Sequence, residues 1–312
     1  MTDVTVGIVL YNSERYIARC LDSLLGQTLT PSRVFCVDNA CADGAADIAR
    51  RHPIGPTVIV NRENVGFARA QNQMIRAAGG EFYLALNPDL FLEPRYIENV
   101  AAALEADKAA GWAQGKILFE GGPPDVIYSA GHVMFSDYHA ENRGYGRVDD
   151  GAYEKQEEIF GANGAAAFYR RRMLESIAVQ GEYYDELFFL YWDDVDLDVR
   201  ANAAGWHCLF VPTARARHVG AASGGPRMDR VKVEQRKNRY LSVLKNRGVA
   251  GLASALAAGF PKNAFWFTTE AIFSPMIYLK VIAGTLRQLG PAMAKRREIL
   301  RLLEEARRRE GV

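Results

Sequence analysis

The sequence predicts an α/β fold with a mostly parallel central sheet, followed by a C-terminal helical extension. Three observations lead there. Strand-like apolar runs alternate with helix-period segments over residues 4–86, the connections between them are short, and strand signals fade after about residue 249. A length of 312 residues suits one large domain or two modest ones, and 49% hydrophobic with 24% charged residues is ordinary globular composition. Disordered and disulfide-scaffold classes are excluded.

Residues 4–10 form a continuous apolar run ending in Tyr11-Asn12-Ser13-Glu14. There Asn12 or Ser13 is placed to cap a helix carrying Tyr16, Ile17, Cys20, Leu21, Leu24 and Leu25 at helical spacing. The unit recurs as a strand at 34–37, a helix after Asp43-Gly44, a strand at 57–60, a helix over about 65–78 and a strand at 82–86. Region 111–160 reads as a mixed-sheet continuation, with Gly-Gly-Pro-Pro at 121–124 and a polar loop near 136–158. Helical patterns resume at 163–175, 193–204 and 230–247, and a boundary falls near 248. There is no internal repeat.

The 38 basic and 37 acidic side chains give a net charge of +1, which argues against a nucleic-acid partner. That total hides an asymmetry: eight basic and two acidic residues lie in 227–247, and eight and four in 287–312, so the body of the chain is acidic. Cys20, Cys36, Cys41 and Cys208 show no metal-ligand spacing and read as reduced thiols. The N-terminal apolar run lacks a basic segment before it, so no signal peptide and a cytoplasmic location are expected.

Ligands of open parallel sheets gather at the carboxyl ends of the strands, so the polar residues there matter most. The second strand ends in Val37-Asp38-Asn39, and a carboxylate at that place can accept the imide N–H of a pyrimidine base. A plain turn with Asp43 as helix cap fits these residues equally well. After the third strand, Asn64-Val65-Gly66-Phe67-Ala68-Arg69 with Asn72 puts a small-residue turn, a helix start and an arginine fork together, suited to a ribose and diphosphate. The alternative is a well-capped helix. The fourth strand runs into Asn87-Pro88-Asp89, where positions two apart in an extended segment address one divalent cation, or form an ordinary turn.

Farther on, Gly161-Ala162 opens a small-residue stretch, and Trp192-Asp193-Asp194-Val195-Asp196 places three acids at a helix start. One cap does not need three acids, so a carboxylate facing a cleft is a candidate general base, with an adjacent acid to orient it. His218 precedes a glycine-rich loop, where it is either structural or a metal ligand.

Taken in order, these stretches resemble the family 2 glycosyltransferases of GT-A fold, and most of all their bacterial rhamnosyltransferase branch. The resemblance is carried by Tyr11-Asn12, Val37-Asp38-Asn39 with Asp43-Gly44, Asn64-Val65-Gly66-Phe67 with Asn72, and Asn87-Pro88-Asp89. Gly161-Ala162 with residues 168–171, Trp192-Asp193-Asp194-Val195-Asp196, and His218 with Gly220 and Ser223 complete it. It implies a GT-A domain over 1–248, with a nucleotide-sugar half over about 1–110 and an acceptor half over about 111–248, and a helical region over 249–312. It also implies an inverting transfer from a nucleotide-diphosphate sugar. Tyr11, Asp38, Asn64, Gly66, Arg69, Asn72, Asn87 and Asp89 would bind the donor, and Asp89 and His218 a Mg²⁺ or Mn²⁺ ion. Asp194 would be the base with Asp193 beside it, and Trp192, Gly161 and Ala162 would meet the acceptor. Two positions depart from the commonest pattern: Asn87 replaces the first carboxylate of Asp-x-Asp, and Asp193 replaces the glutamate of Glu-Asp.

The implied reaction is rhamnosyl transfer from dTDP-rhamnose to a glycan or polyprenyl-linked glycan in cell-surface polysaccharide synthesis. The alternatives are galactofuranosyl or another hexosyl transfer from a UDP-sugar, and a sugar-nucleotide-binding protein without turnover. Uracil and thymine present the same imide edge, so Asp38 does not discriminate between them. A nucleotidyltransferase or a dehydrogenase is disfavoured, because neither G-x-x-x-x-G-K-[ST] nor G-x-G-x-x-G follows the first strand. Residues 264–285 are apolar and aromatic except for Glu270 and Lys280, and Pro275 interrupts them. Helices lying on the inner face of the membrane, or packed in a homodimer, are therefore expected rather than a span. The flanking Arg236-Lys237-Asn238-Arg239, Lys295-Arg296-Arg297 and arginines 307–309 would meet anionic headgroups.

Overall fold

The computed structural model describes residues 2–121, 124–220 and 228–310; Ser223 and the side chains of Trp266, Phe267, Glu270 and residues 307–309 lie outside it. The first half comprises β1 (Val4–Leu10), α1 (Glu14–Leu25), β2 (Arg33–Asn39), α2 (Ala45–Arg51), β3 (Thr57–Asn61), α3 (Phe67–Ala77), β4 (Phe82–Leu86), β5 (Leu90–Leu92) and α4 (Tyr96–Ala106). Then follow β6 (Ala110–Phe119), β7 (Ile127–Ser129), β8 (His132–Met134), β9 (Ala140–Asn142), β10 (Glu157–Ile159), β11 (Ala166–Arg170), α5 (Arg171–Ser176), α6 (Asp193–Ala203) and β12 (His207–His218). The chain closes with α7 (Met228–Ala258), α8 (Phe260–Phe273) and α9 (Pro275–Glu310).

The main sheet runs β10-β12-β6-β11-β4-β1-β2-β3. Strands β3, β2, β1 and β4 are mutually parallel, and strand order reverses at β1/β4, so the crevice outside their carboxyl ends is the natural ligand site. Alternate residues of the central strands feed two cores: Val6, Ile8, Leu84 and Leu86 pack on one face, Val9, Tyr83 and Ala85 on the other. Burial on both faces explains why these strands read as continuous apolar runs.

Three expectations are corrected. Residues 166–170, expected to be helical, form β11, antiparallel to both β4 and β6. The physical reason is period-two packing, with Phe168 in one core and Tyr169 in the other, and helix begins only at Arg171. Strand β12 and helix α4 were not expected at all, yet β12 pairs with β5, β6 and β10 and brings His218 to the site.

The third correction concerns the basic runs. Lys237 is buried against Glu234, Asn238 is fully buried, and Arg239 donates to the carbonyls of Asp137 and Tyr138. Lys295 is buried against Asp185 and Glu182, and Arg296 donates to the Lys245 carbonyl. Arg239 and Lys295 thus fasten α7 and α9 to the α/β body, Lys237 pairs within α7 and Arg296 joins α9 to α7, so these four do not face headgroups, whereas Arg297 is exposed. Helix α7 breaks at Gly248, whose φ of 74° is left-handed.

Candidate active site

The β1–α1 and β2–α2 loops are tied together before any ligand arrives. Asn12 Oδ1 accepts from the Ala42 N–H at 2.9 Å, the Glu14 N–H donates to Asp43 Oδ2, and Glu14 Oε2 accepts from the Gly44 N–H. Asp38 sits at the end of β2, with Oδ1 accepting the Cys41 N–H at 3.0 Å and Oδ2 3.6 Å from Arg50. Tyr11 is exposed at the end of β1.

The next strand end is organised by Asn39, a residue given no role of its own in the sequence reading. Its amide donates to Asn64 Oδ1 at 2.9 Å, and its Oδ1 accepts from Asn61 and from the Val65 N–H. Asn64 Oδ1 also takes the Gly66 N–H, so Asn64 shapes the turn that opens α3. Gly66 has φ 86°, and a Cβ there would lie 2.5 Å from the Phe189 carbonyl, so only glycine lets the 188–189 segment close on the helix start. Arg69 is exposed and 3.7 Å from Glu186.

Asn72, expected along the nucleotide, is instead completely buried. Its Oδ1 accepts the Tyr183 and Tyr184 N–H groups and its amide donates to the Tyr184 carbonyl and Glu186, which consumes its polar atoms in clamping the segment before α6.

Asp89 and His218 are brought together. Asp89 Oδ1 lies 3.1 Å from His218 Nε2, both side chains are buried, and the Tyr128 ring meets the imidazole edge-on at 4.3 Å. Asn87 lies at the same turn, its N–H bonded to the Ala165 carbonyl. Among the described residues, no three His, Cys, Asp or Glu side chains converge on one point. Still, a carboxylate and an imidazole side by side, with His218 Nδ1 buried and unpartnered, fit a divalent cation that draws its other ligands from a diphosphate and water.

The three acids at the start of α6 have three separate fates. Asp194 is partly open, with Oδ2 accepting the Gly164 N–H and Oδ1 the Val195 N–H, both at 2.8 Å. Asp193 is buried with Oδ2 unpartnered, and burial together with the neighbouring Asp194 raises its carboxyl well above the usual range. Asp196 points into the body, where Lys245, Arg200, Ser242 and Asn246 surround it. Just before α6, Tyr191 and Trp192 both hold positive φ, 66° and 68°, a conformation that costs energy and concentrates at working sites. Asn238 supports this turn through the carbonyls of Leu190 and Tyr191, and Trp192 stacks on Tyr138 at 6.2 Å.

Gly161 and Ala162, expected to meet the acceptor, are buried around Asp198. A Cβ on Gly161 would sit 1.9 Å from Asp198 Oδ2, and the Ala162 N–H donates to Oδ1. Asp198 in turn holds His132 Nδ1 at 2.8 Å, and His132 Nε2 lies 3.8 Å from Asp194. Burial would lower the His132 pKa, but the Asp198 hydrogen bond and the Asp194 charge outweigh it and raise it. Burial pushes Asp198 up to about 7 against the pull of His132. Burial, and after it the charges of Asp89 and Asp194 among others, raise the Tyr128 hydroxyl. Neither His132 nor Tyr128 stands in a recognisable motif, and only the β7–β8 bend brings them in.

Comparison with known proteins identifies the family and the fold. The profile of Glycosyl transferase family 2 matches residues 5–178. The N-acetylglucosaminyl-diphospho-decaprenol L-rhamnosyltransferase of Mycobacterium tuberculosis is 26% identical over 246 residues, covering 72% of this chain and 79% of that protein. EpsH of Bacillus subtilis is 33% identical over 99 residues, so the chain spans only 29% of its length. Among solved structures, S. aureus TarS 1–349 superposes with a TM-score of 0.58 at 16% identity, over 100% of this chain and 92% of that one. GalNAc-T7 with UDP, GalNAc and Mn²⁺ gives 0.60 at 13%, over 78% and 48%. The fold is GT-A. The chain belongs to glycosyltransferase family 2.

Proposed function

We propose that this glycosyltransferase moves L-rhamnose from dTDP-rhamnose, with inversion, onto a hydroxyl of a polyprenyl-linked glycan. The observation that carries the reading is the presence of two distinct groups: the buried Asp89–His218 pair, 3.1 Å apart, and a separate, partly open carboxylate, Asp194, at the start of α6. Direct displacement needs this division, with a base for the acceptor hydroxyl and a separate place for the departing diphosphate. Rhamnose and a lipid-diphosphate acceptor are supported by the name of the mycobacterial relative.

In this reading, Asp38 holds the base edge, while Tyr11, Asn64, Gly66, Arg69 and Asn87 line the nucleotide. Asp194 takes the proton from the acceptor hydroxyl as its oxygen attacks the anomeric carbon and the carbon–phosphate oxygen bond breaks. Burial and the neighbouring Asp194 raise the Asp193 carboxyl, and Asp194 is the more open of the two side chains. Asp89 and His218 would hold Mg²⁺ or Mn²⁺, which when bound supplies positive charge to the leaving diphosphate. Residues 1–248 form the transferase unit, and 249–312 address the membrane. Phe260, Phe265, Ile272, Phe273, Met276 and Leu279 are exposed on α8 and the start of α9, an apolar surface suited to insertion at a bilayer face. No helix among the described residues is long and apolar enough to cross a membrane.

A panel of dTDP- and UDP-sugars tests the reading, by thermal shift and by transfer to polyprenyl-diphospho-N-acetylglucosamine with and without EDTA. dTDP-rhamnose alone should stabilise the protein and turn over in an EDTA-sensitive way. Preference for a UDP-hexose would replace the donor. Absence of nucleotide diphosphate release from any donor would mean a binder without turnover.

A further inference from the structure

His132, Asp198 and the Gly161-Ala162 pair take no part in that transfer, although all four are buried within or beside the acid helix α6. His132 is fixed from every side. Its N–H bonds the Gly161 carbonyl at 2.7 Å, and its Nδ1 meets Asp198 Oδ2 at 2.8 Å. Asp198 occupies the space a Gly161 side chain would fill, and its other oxygen is held by the Ala162 N–H. With Nδ1 committed, the ring has one orientation, and it presents Nε2 to Asp194 Oδ2 at 3.8 Å. Asp194 Oδ2 is tied on its other side by the Gly164 N–H, one turn of chain beyond Ala162.

We propose that His132, oriented by Asp198, is a positioning residue for Asp194: it fixes the carboxylate against the acceptor and supplies the positive charge that favours its proton-accepting form. This rests on Asp194 being the base. No proton passes to the imidazole: the acceptor's proton ends on Asp194, which is partly open to solvent, and leaves from there. The titratable groups facing the pair are Asp193 and Asp198 of α6, Tyr169 of β11, Tyr184 before α6 and Tyr128 of β7. His132 is the one base in this group; burial works against its charged form, but the Asp198 hydrogen bond and the Asp194 charge outweigh it and keep that form present to higher pH than in an ordinary imidazole.

The test uses the full chain with His132→Gln and Asp198→Asn. In His132→Gln, kcat should fall by up to about 100-fold, as for a misplaced catalytic group, with donor KM unchanged. The acid limb of the kcat/KM profile should move up by about one pH unit, the effect of losing a nearby opposite charge. Asp198→Asn, which preserves the packing, should move the limb the same way by less. Imidazole nitrogen shifts in the intact wild-type protein give a reading that needs no His132 variant. A Nδ1–H ring titrating above 6.5, and lower in Asp194→Asn, is expected. An acid limb unmoved in both variants, or a neutral ring protonated on Nε2, would overturn the proposal. If Asp194→Asn itself stays active while its effect on the ring persists, the base assignment has failed and the His132–Asp194 coupling has not.

Discussion

His218 Nε2 lies 3.1 Å from Asp89 Oδ1, joining the end of β12 to the turn after β4 across 129 positions of sequence. Neither side chain is exposed enough to owe that partner to chance, and the pair closes the crevice where strand order reverses. Ligands of one ion share its binding energy, so Asp89→Ala and His218→Ala should each weaken Mn²⁺ binding in the presence of dTDP by about tenfold or more, with the double variant little worse than either. Calorimetric titration measures this. Additive losses would make His218 a structural residue.

Replacing Asp194 by Asn keeps an oxygen for one of its two backbone N–H partners but removes the base. The loss in kcat should be about 10²–10⁴-fold, the usual range for general base catalysis, with dTDP binding unchanged. Retention of more than about a hundredth of the activity would exclude Asp194 as the base.

Asp185 lies between Lys245 of α7 and Lys295 of α9. Burial alone would raise its carboxyl, but the two ammonium groups outweigh that and hold it well below the ordinary value of 3.8. A depressed folded-state pKa contributes stability that is present above the unfolded value and lost as pH falls below it. Asp185→Asn should therefore destabilise the fold by about 3–5 kcal/mol near neutrality, since it leaves two buried cations short of a partner. The gap between variant and wild type should narrow below about pH 4. Urea unfolding across that range checks the sign.

Gly161→Ala places a methyl 1.9 Å from Asp198 Oδ2, inside a buried contact that has nowhere to move. A loss of about 1–3 kcal/mol is expected, as for overpacked cores, together with a fall in kcat at unchanged donor affinity. Wild-type stability in this variant would mean that Asp198 is freely displaced.

The exposed apolar side chains of α8 and α9 should make the full-length protein float with phosphatidylglycerol liposomes. Because Lys237 and Lys295 are buried in ion pairs and the contact surface on these helices is apolar, flotation should survive high salt and be abolished by Phe273→Glu with Met276→Glu. Protein that stays at the bottom of the gradient would end the membrane reading.

The first seven elements of the chain, β1 to β4 with α1 to α3, were legible in the sequence because their signals are local: an apolar run of strand length, a capping residue, a helix period. The order of Asp38, Asn64, Asp89, Asp194 and His218 carried the family resemblance, and the structure brings Asp89 and His218 of that series together. What tertiary structure alone decided is which polar atoms remain free. Asn72 and Asn64 look alike in a motif, yet folding spends all of Asn72 on the backbone of 183–184. Asp193, Asp194 and Asp196 form one acidic string, but successive helix positions turn by about 100°, so Asp193 is buried with an unpartnered oxygen, Asp194 stays partly open and Asp196 meets Lys245. Residues 166–170 pass for helix until the two cores claim alternate side chains. His132 carried no sequence signal because its partners lie 62 and 66 positions away, and a pairing of that range exists only once the sheet has brought β8 against α6.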